Sequence, residues 1–100
     1  MENLDNFDYS NIGGYINKSD IEDIVELKNI HIWMKDKRLA RGLTIKELSK
    51  LSGVASKVVS SIEKGNGNTD FIAYIKIALA LGYNLNFDIS TTSFIANKVS

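Results

Sequence analysis

Three glycines, Gly42, Gly53 and Gly65, divide the middle of this chain into two short segments, and that spacing constrains the fold more than any other feature. Thr44 and Glu47 form an S/T-x-x-E capping box at the head of the first segment. In such a box each side chain satisfies a backbone N–H that a helix start otherwise leaves orphaned. Gly42, just upstream, suits the left-handed position that ends a preceding helix. Ile45, Leu48 and Leu51 repeat at an apolar spacing of three, and Ser49 is small enough to admit a neighbouring helix. Gly53 stops the segment and Val54 is placed to pack into the turn. Residues 55–64 then set Val58, Val59 and Ile62 on one face, with Ser56, Lys57, Ser60, Ser61 and Lys64 available to the other, before Gly65 closes the run.

Two short helices joined by a three- or four-residue glycine turn make a helix-turn-helix, the motif that sets its second helix into the DNA major groove. The chain has 12 basic and 12 acidic residues and no net charge, which by itself argues against a nucleic-acid partner. The distribution of those charges argues the other way. Residues 1–34 carry two lysines against seven carboxylates, a net −5; residues 35–64 carry eight basic residues against three acidic, a net +5. The remainder is neutral. A basic block that coincides with the motif is the footprint of phosphate contact, whereas without the motif it would read as a solvated helical surface.

Residues 1–18 lack a clear period and read as an acidic N-terminal arm, with Phe7, Tyr9, Ile12, Tyr15 and Ile16 scattered through it. Ser19 and Glu22 make a second capping box, which predicts a helix carrying Ile21, Ile24, Val25 and Leu27. That helix either runs on into the one holding Ile30, Trp33, Met34 and Arg38 or breaks at Asn29. After Gly65 a loop is expected through Asn68-Thr69. Asp70 then caps a further helix with Phe71, Tyr74, Ile75, Ala78 and Leu81 inside, ending at Gly82. From there the period changes. Tyr83, Leu85, Phe87 and Ile89 alternate with Asn84, Asn86, Asp88 and Ser90, which predicts a strand over 83–90 and a tail over 91–100. A lone strand needs a partner. A second copy across a two-fold axis supplies one, making Tyr83, Leu85, Phe87 and Ile89 dimerisation residues; pairing with the arm around Tyr15-Ile16 is the alternative.

From Ile30 to Gly82 the sequence resembles the Xre/Cro family of lambda-repressor-like domains. The resemblance rests on Arg38 four residues before Gly42, the G-L-T-x-x-E-L-x-x-x-S-G-V run, I-E-K-G, and the closing Ile77-Ala78-Leu79-Ala80-Leu81-Gly82. It implies an all-α fold: a lambda-repressor-like domain of four to five helices over residues 19–82, here followed by the C-terminal strand. It also implies that Ser56, Lys57 and Ser61 face bases, and that Arg38 and Glu63 form an ion pair that steadies the second helix. Lysine can donate to guanine, while serine discriminates little, so the reading set is sparse and DNA shape carries part of the specificity. Thr44, Lys46, Ser60 and Lys64 are the phosphate candidates, although Lys46 and Lys50 equally suit exposed side chains without contacts. Two positions depart from the family pattern. Ile45 stands where a phosphate-contacting glutamine is common. Ala55 replaces the usual Ser or Thr cap, with Ser56 able to cap one residue later.

A strand in place of the last helix, with an added N-terminal helix, resembles the HigA/HipB-type antitoxins. That resemblance implies a dimeric repressor of its own operon that also sequesters a toxin, for which the acidic N-terminal third suits a basic partner. The alternatives are a phage or mobile-element repressor, and a protein-interaction module built on a degenerate helix-turn-helix. The expected partners are double-stranded DNA with an inverted-repeat operator and a second copy of the chain. Hydrophobic residues make up 44% of the chain, with no run of membrane-spanning length and no leader pattern, so a cytoplasmic protein is expected. There is no cysteine, and His31 is the one histidine; no metal, no cofactor and no catalytic activity are expected.

Overall fold

The computed structural model describes residues 21–66 and 70–99. Its elements run β1 (Ile21–Glu26), a short 3-10 turn (Leu27–Asn29), α1 (Ile30–Ala40), α2 (Ile45–Ser52), α3 (Ser56–Glu63), α4 (Phe71–Ala80), β2 (Tyr83–Asp88) and β3 (Ser93–Lys98). The strands form one antiparallel sheet in the order β1-β3-β2. The arm over 1–18, Ser19 and the tip of the loop after Asn66 lie outside the described residues.

The four helices follow the sequence signals closely. Both halves of the Thr44–Glu47 box are made: the Glu47 N–H donates to Thr44 Oγ1 at 3.0 Å, and the Thr44 N–H donates to Glu47 Oε1 at 2.9 Å. These bonds hold the exposed Glu47 carboxyl below its usual pKa, the bond from the Thr44 backbone being the larger cause. Gly53 ends α2 in the left-handed region, φ 73°, where a side chain would be strained although nothing crowds it. Asp70 caps α4 by accepting from the Ala73 N–H at 3.2 Å. Leu48, Val59, Ile62, Ile77 and Ala78 meet in the core between α2, α3 and α4. No helix among the described residues is long and apolar enough to cross a membrane.

The sheet corrects the all-α expectation. Residues 21–26 are a strand rather than a capped helix: Val25 faces Phe94 of β3 and is buried, while Ile24 opposite Ile95 is 68% exposed. The spacing of Ile21, Ile24 and Val25 fits a helix, but β-branched residues also suit a pleated surface. A waiting hairpin edge decided the matter. That hairpin also answers the partner question for β2. Its ladder runs along β3, from Tyr83 opposite Lys98 to Asp88 opposite Ser93, so residues 93–98 are strand rather than tail. The strand ends at Asp88, and Ile89 stands in the turn, 84% exposed. The side chains of Tyr83 and Leu85 are buried in the core, and Phe87 packs in an aromatic group, so these side chains are not a free dimer surface.

Aromatic contacts fasten the sheet to the helices. Phe71 of α4 lies 4.8 Å from Phe87 and 5.4 Å from Phe94, ring centre to ring centre, and Tyr74 meets Phe94 edge-on at 5.7 Å. On the other side Trp33 of α1 meets Tyr83 edge-on at 5.2 Å. Each such pair adds about 0.5–1.5 kcal/mol beyond the area it buries.

Candidate nucleic-acid interface

The connection between α2 and α3 is three residues, Gly53-Val54-Ala55, and serines lock its shape. Ser49 Oγ donates to the Val54 carbonyl at 2.6 Å, and the Val54 N–H donates to Ser52 Oγ at 3.1 Å. Val54 is buried beneath the turn. The small residue at 49 therefore does more than give room, because it also satisfies the carbonyl that the turn would orphan.

With the crossing fixed, α3 turns Val59 and Ile62 into the core at 1% and 2% exposure. The opposite face presents Ser56 and Lys57 exposed at its start, Ser60 and Ser61 in part, and Lys64 at its cap. Ser56, Ser60 and Lys64 recur at i, i+4 and i+8, which makes a single stripe. Lys46 and Lys50 of α2 are exposed as well. None of these lysines makes an ion pair among the described residues.

Ala55 is the cap of α3 and offers no side-chain acceptor; Ser56 is already the first helical residue and does not cap. The opening N–H groups of α3 thus have no protein acceptor from a cap side chain, which is the arrangement that receives a phosphate oxygen. Ile45 is half-buried and packs against the core, so it replaces a polar phosphate contact with an apolar anchor.

Behind this face, Arg38 and Glu63 meet fork to fork. Arg38 Nε donates to Glu63 Oε2 at 2.8 Å and Nη2 donates to Oε1 at 2.9 Å. The third donor, Nη1, reaches the Leu43 carbonyl at 2.7 Å. Both side chains are buried, 9% and 6% exposed. The carboxylate bonds raise the Arg38 pKa further above its ordinary value. One guanidinium thereby joins the end of α1, the α1–α2 connection and the end of α3.

Two other cations of the basic block are held by the fold, which the charge count alone could not reveal. Lys37 pairs with Asp23 of β1 at 3.1 Å and lies 5.1 Å from the centre of the Tyr83 ring. Arg41 Nη1 donates to the Leu81 carbonyl at the end of α4, at 2.8 Å. With Arg38 included, three of the eight cations support structure. Lys35, Lys46, Lys50, Lys57 and Lys64 are the exposed remainder. His31 packs under the end of α3: a Cβ placed on Gly65 would come within 3.1 Å of its ring. Among the described residues, no group of three or more His, Cys, Asp and Glu side chains could hold a metal ion.

A tight turn, an outward serine–lysine face and a buried clamp behind it define a helix-turn-helix domain. The chain belongs to the helix-turn-helix family, in its Xre-like form: the family's sequence profile matches residues 34–87, more than half of its length. Membership supports a DNA-binding regulator. No curated protein and no solved structure matches the chain.

Proposed function

We propose that the protein is a sequence-specific repressor that binds an inverted-repeat operator as a homodimer, and that it is the antitoxin of a toxin–antitoxin pair. It acts by binding, without catalysis. The observation that carries the DNA reading is the outward face of α3, where Ser56, Lys57, Ser60, Ser61 and Lys64 stand clear of the core on a helix clamped through Glu63. Lys57 at the exposed start of α3 is the base-reading cation, with Ser56 and Ser61 beside it; Thr44, Lys46, Ser60 and Lys64 hold phosphates. In a dimer, the two reading helices fall about one helical turn apart, so half-sites are expected roughly 10 bp between centres.

The antitoxin role is supported by the charge partition, with net −5 over residues 1–34 available to a basic partner. Co-expression with the product of the neighbouring reading frame tests it. A stable complex that also binds the operator supports an antitoxin. A complex without operator binding favours a protein-interaction module, for which the apolar Ile45 argues. Operator binding with no partner favours a freestanding phage or mobile-element repressor. The DNA claim itself is tested by binding to the chain's own promoter against random duplex at several salt concentrations.

A further inference from the structure

The order β1-β3-β2 leaves two outer strands, and they differ in character. β1 carries Glu22, Asp23 and Glu26, and two such edges brought together would repel. β2 reads Tyr83-Asn84-Leu85-Asn86-Phe87-Asp88, with its single charge at the end and no proline anywhere in the chain to block it. The Val99 N–H donates to the Gly82 carbonyl at 2.9 Å, and the register continues with Tyr83 opposite Lys98 and Asn84 opposite Asn97. Bonded and non-bonded pairs alternate in an antiparallel ladder, so that one bond fixes the parity. Asn84, Asn86 and Asp88 bond to β3. The backbone N–H and C=O groups of Tyr83, Leu85 and Phe87 point to the open edge, where no described strand meets them.

That edge is nearly palindromic: aromatic, Asn, Leu, Asn, aromatic. We infer that a second copy of this chain docks on it, the two β2 strands pairing antiparallel about a two-fold axis through Leu85. The inference rests on the dimeric reading above and assigns its interface. Centring on Leu85 satisfies all three outward residues at once, whereas centring on Asn86 leaves Tyr83 without a strand residue opposite. Tyr83 then lies beside Phe87 of the partner subunit, and Asn84 beside Asn86 of the partner subunit. Each of these contacts occurs twice about the axis, and Leu85 meets its own copy on it, as a two-fold requires.

Two further observations sit at the same place. Asn97 Oδ1 is buried with no hydrogen-bond partner among the described residues, and Asn97 lies directly across the ladder from Asn84. Pairing extends that row to a third amide, with Asn84 placed between Asn97 and Asn86 of the partner subunit, so that one amide can donate while accepting from the next. Ile75 of α4 is 40% exposed and, with Asn84, Leu85, Asn86 and Asn97, lines a recess of about 270 Å³. Ile72 and Leu79 share its helix face at 65% and 49% exposure. A second copy covers apolar surface there as well as pairing backbone.

The test uses the absence of cysteine from the chain. In the inferred register, Asn84 and Asn86 of the partner subunit form a non-bonded pair, with Cα atoms about 4.5 Å apart, inside the range a disulfide spans. The double variant Asn84→Cys/Asn86→Cys in the full chain, oxidised with glutathione disulfide, is expected to give a covalent dimer. Each S–S bond formed reduces one glutathione disulfide to two thiols. Either single variant places its cysteine opposite an asparagine and is expected to stay largely uncrosslinked. Circular dichroism of the reduced variants checks that they fold, and Ile75→Glu is expected to weaken dimerisation about tenfold or more without unfolding the chain. A dimer by light scattering whose double variant does not crosslink would overturn this interface while leaving the dimeric repressor intact. A monomer at tens of micromolar would overturn both the interface and the dimer, and operator binding would then be judged separately.

Discussion

The Arg38 guanidinium makes two parallel hydrogen bonds to the Glu63 carboxylate, 2.8 and 2.9 Å long, across 25 residues of sequence. Its third donor holds the Leu43 carbonyl, so one side chain sets the end of the proposed reading helix against the helix that precedes the motif. Geometry of this quality is what a buried ion pair needs to offset its desolvation. Arg38→Ala or Glu63→Gln is expected to cost about 3–5 kcal/mol, because either change strands the remaining buried group. Arg38→Met/Glu63→Leu is expected to recover much of that loss. Urea unfolding of the three variants checks both; an additive double variant would show that the pair is not coupled.

Lys57 and Lys46 are both exposed and are expected to fail differently. Lys57→Ala at the start of α3 should lower preference for the cognate base by about 1–3 kcal/mol, seen as a narrowed gap between operator and base-substituted duplexes. Lys46→Ala should weaken every duplex alike and reduce the salt slope by about 1. Anisotropy titrations at several salt concentrations separate the two, and identical losses on all sequences would remove Lys57 from the reading face.

Ala55 leaves α3 without a side-chain cap. Ala55→Ser is expected to stabilise the chain by about 0.5–2 kcal/mol, the usual worth of a cap, measured as a higher unfolding midpoint. The same change is expected to compete with phosphate for the opening N–H groups, so DNA affinity should not rise with stability. A variant with no gain in midpoint would mean that α3 is capped in some other way.

Asp23 couples β1 to α1, accepting from Trp33 Nε1 at 2.8 Å and from Lys37 at 3.1 Å. Burial pushes its carboxyl pKa up, but the bonds from Trp33 and Lys37 outweigh this and hold it below the usual value. A carboxyl with a lowered folded pKa stabilises fully above its unfolded value, near 3.9, and loses that contribution as pH falls through the folded one. Asp23→Asn is therefore expected to be less stable near neutral pH and to show a flatter acid limb. The fluorescence of Trp33, the one tryptophan, reports both. An unchanged acid limb would remove Asp23 from the linkage.

Local chemistry makes the motif legible in the sequence: Thr44, Glu47, Gly53 and Asp70 each act within four residues of themselves, and each does so in the fold. The alternation of Tyr83, Leu85 and Phe87 shows β2 in the sequence, but not the strands that join it in a sheet. β1 and β3 are separated by all four helices, and the β2–β3 turn carries no glycine, proline or Asn-Gly pair. Its signal was weaker: Asp88 Oδ1 accepts from the Ser90 N–H at 3.0 Å, an Asx turn, and Thr92 takes a positive φ of 52°. The charge partition located the right block but overstated it. Lys37 and Arg41 look like free cations in the sequence, and their partners Asp23 and Leu81 lie 14 and 40 residues away, whereas the pairing of Arg38 with Glu63 is implied by the family resemblance.

The most direct measurement is a fluorescence-anisotropy titration of the full chain on its own promoter and on random duplex of equal length, across a range of salt. Specific binding is expected to exceed random binding by at least about 10³ at physiological salt, with half-sites roughly 10 bp apart and a negative salt slope. Affinity for the promoter indistinguishable from that for random duplex would contradict α3 as a reader of sequence.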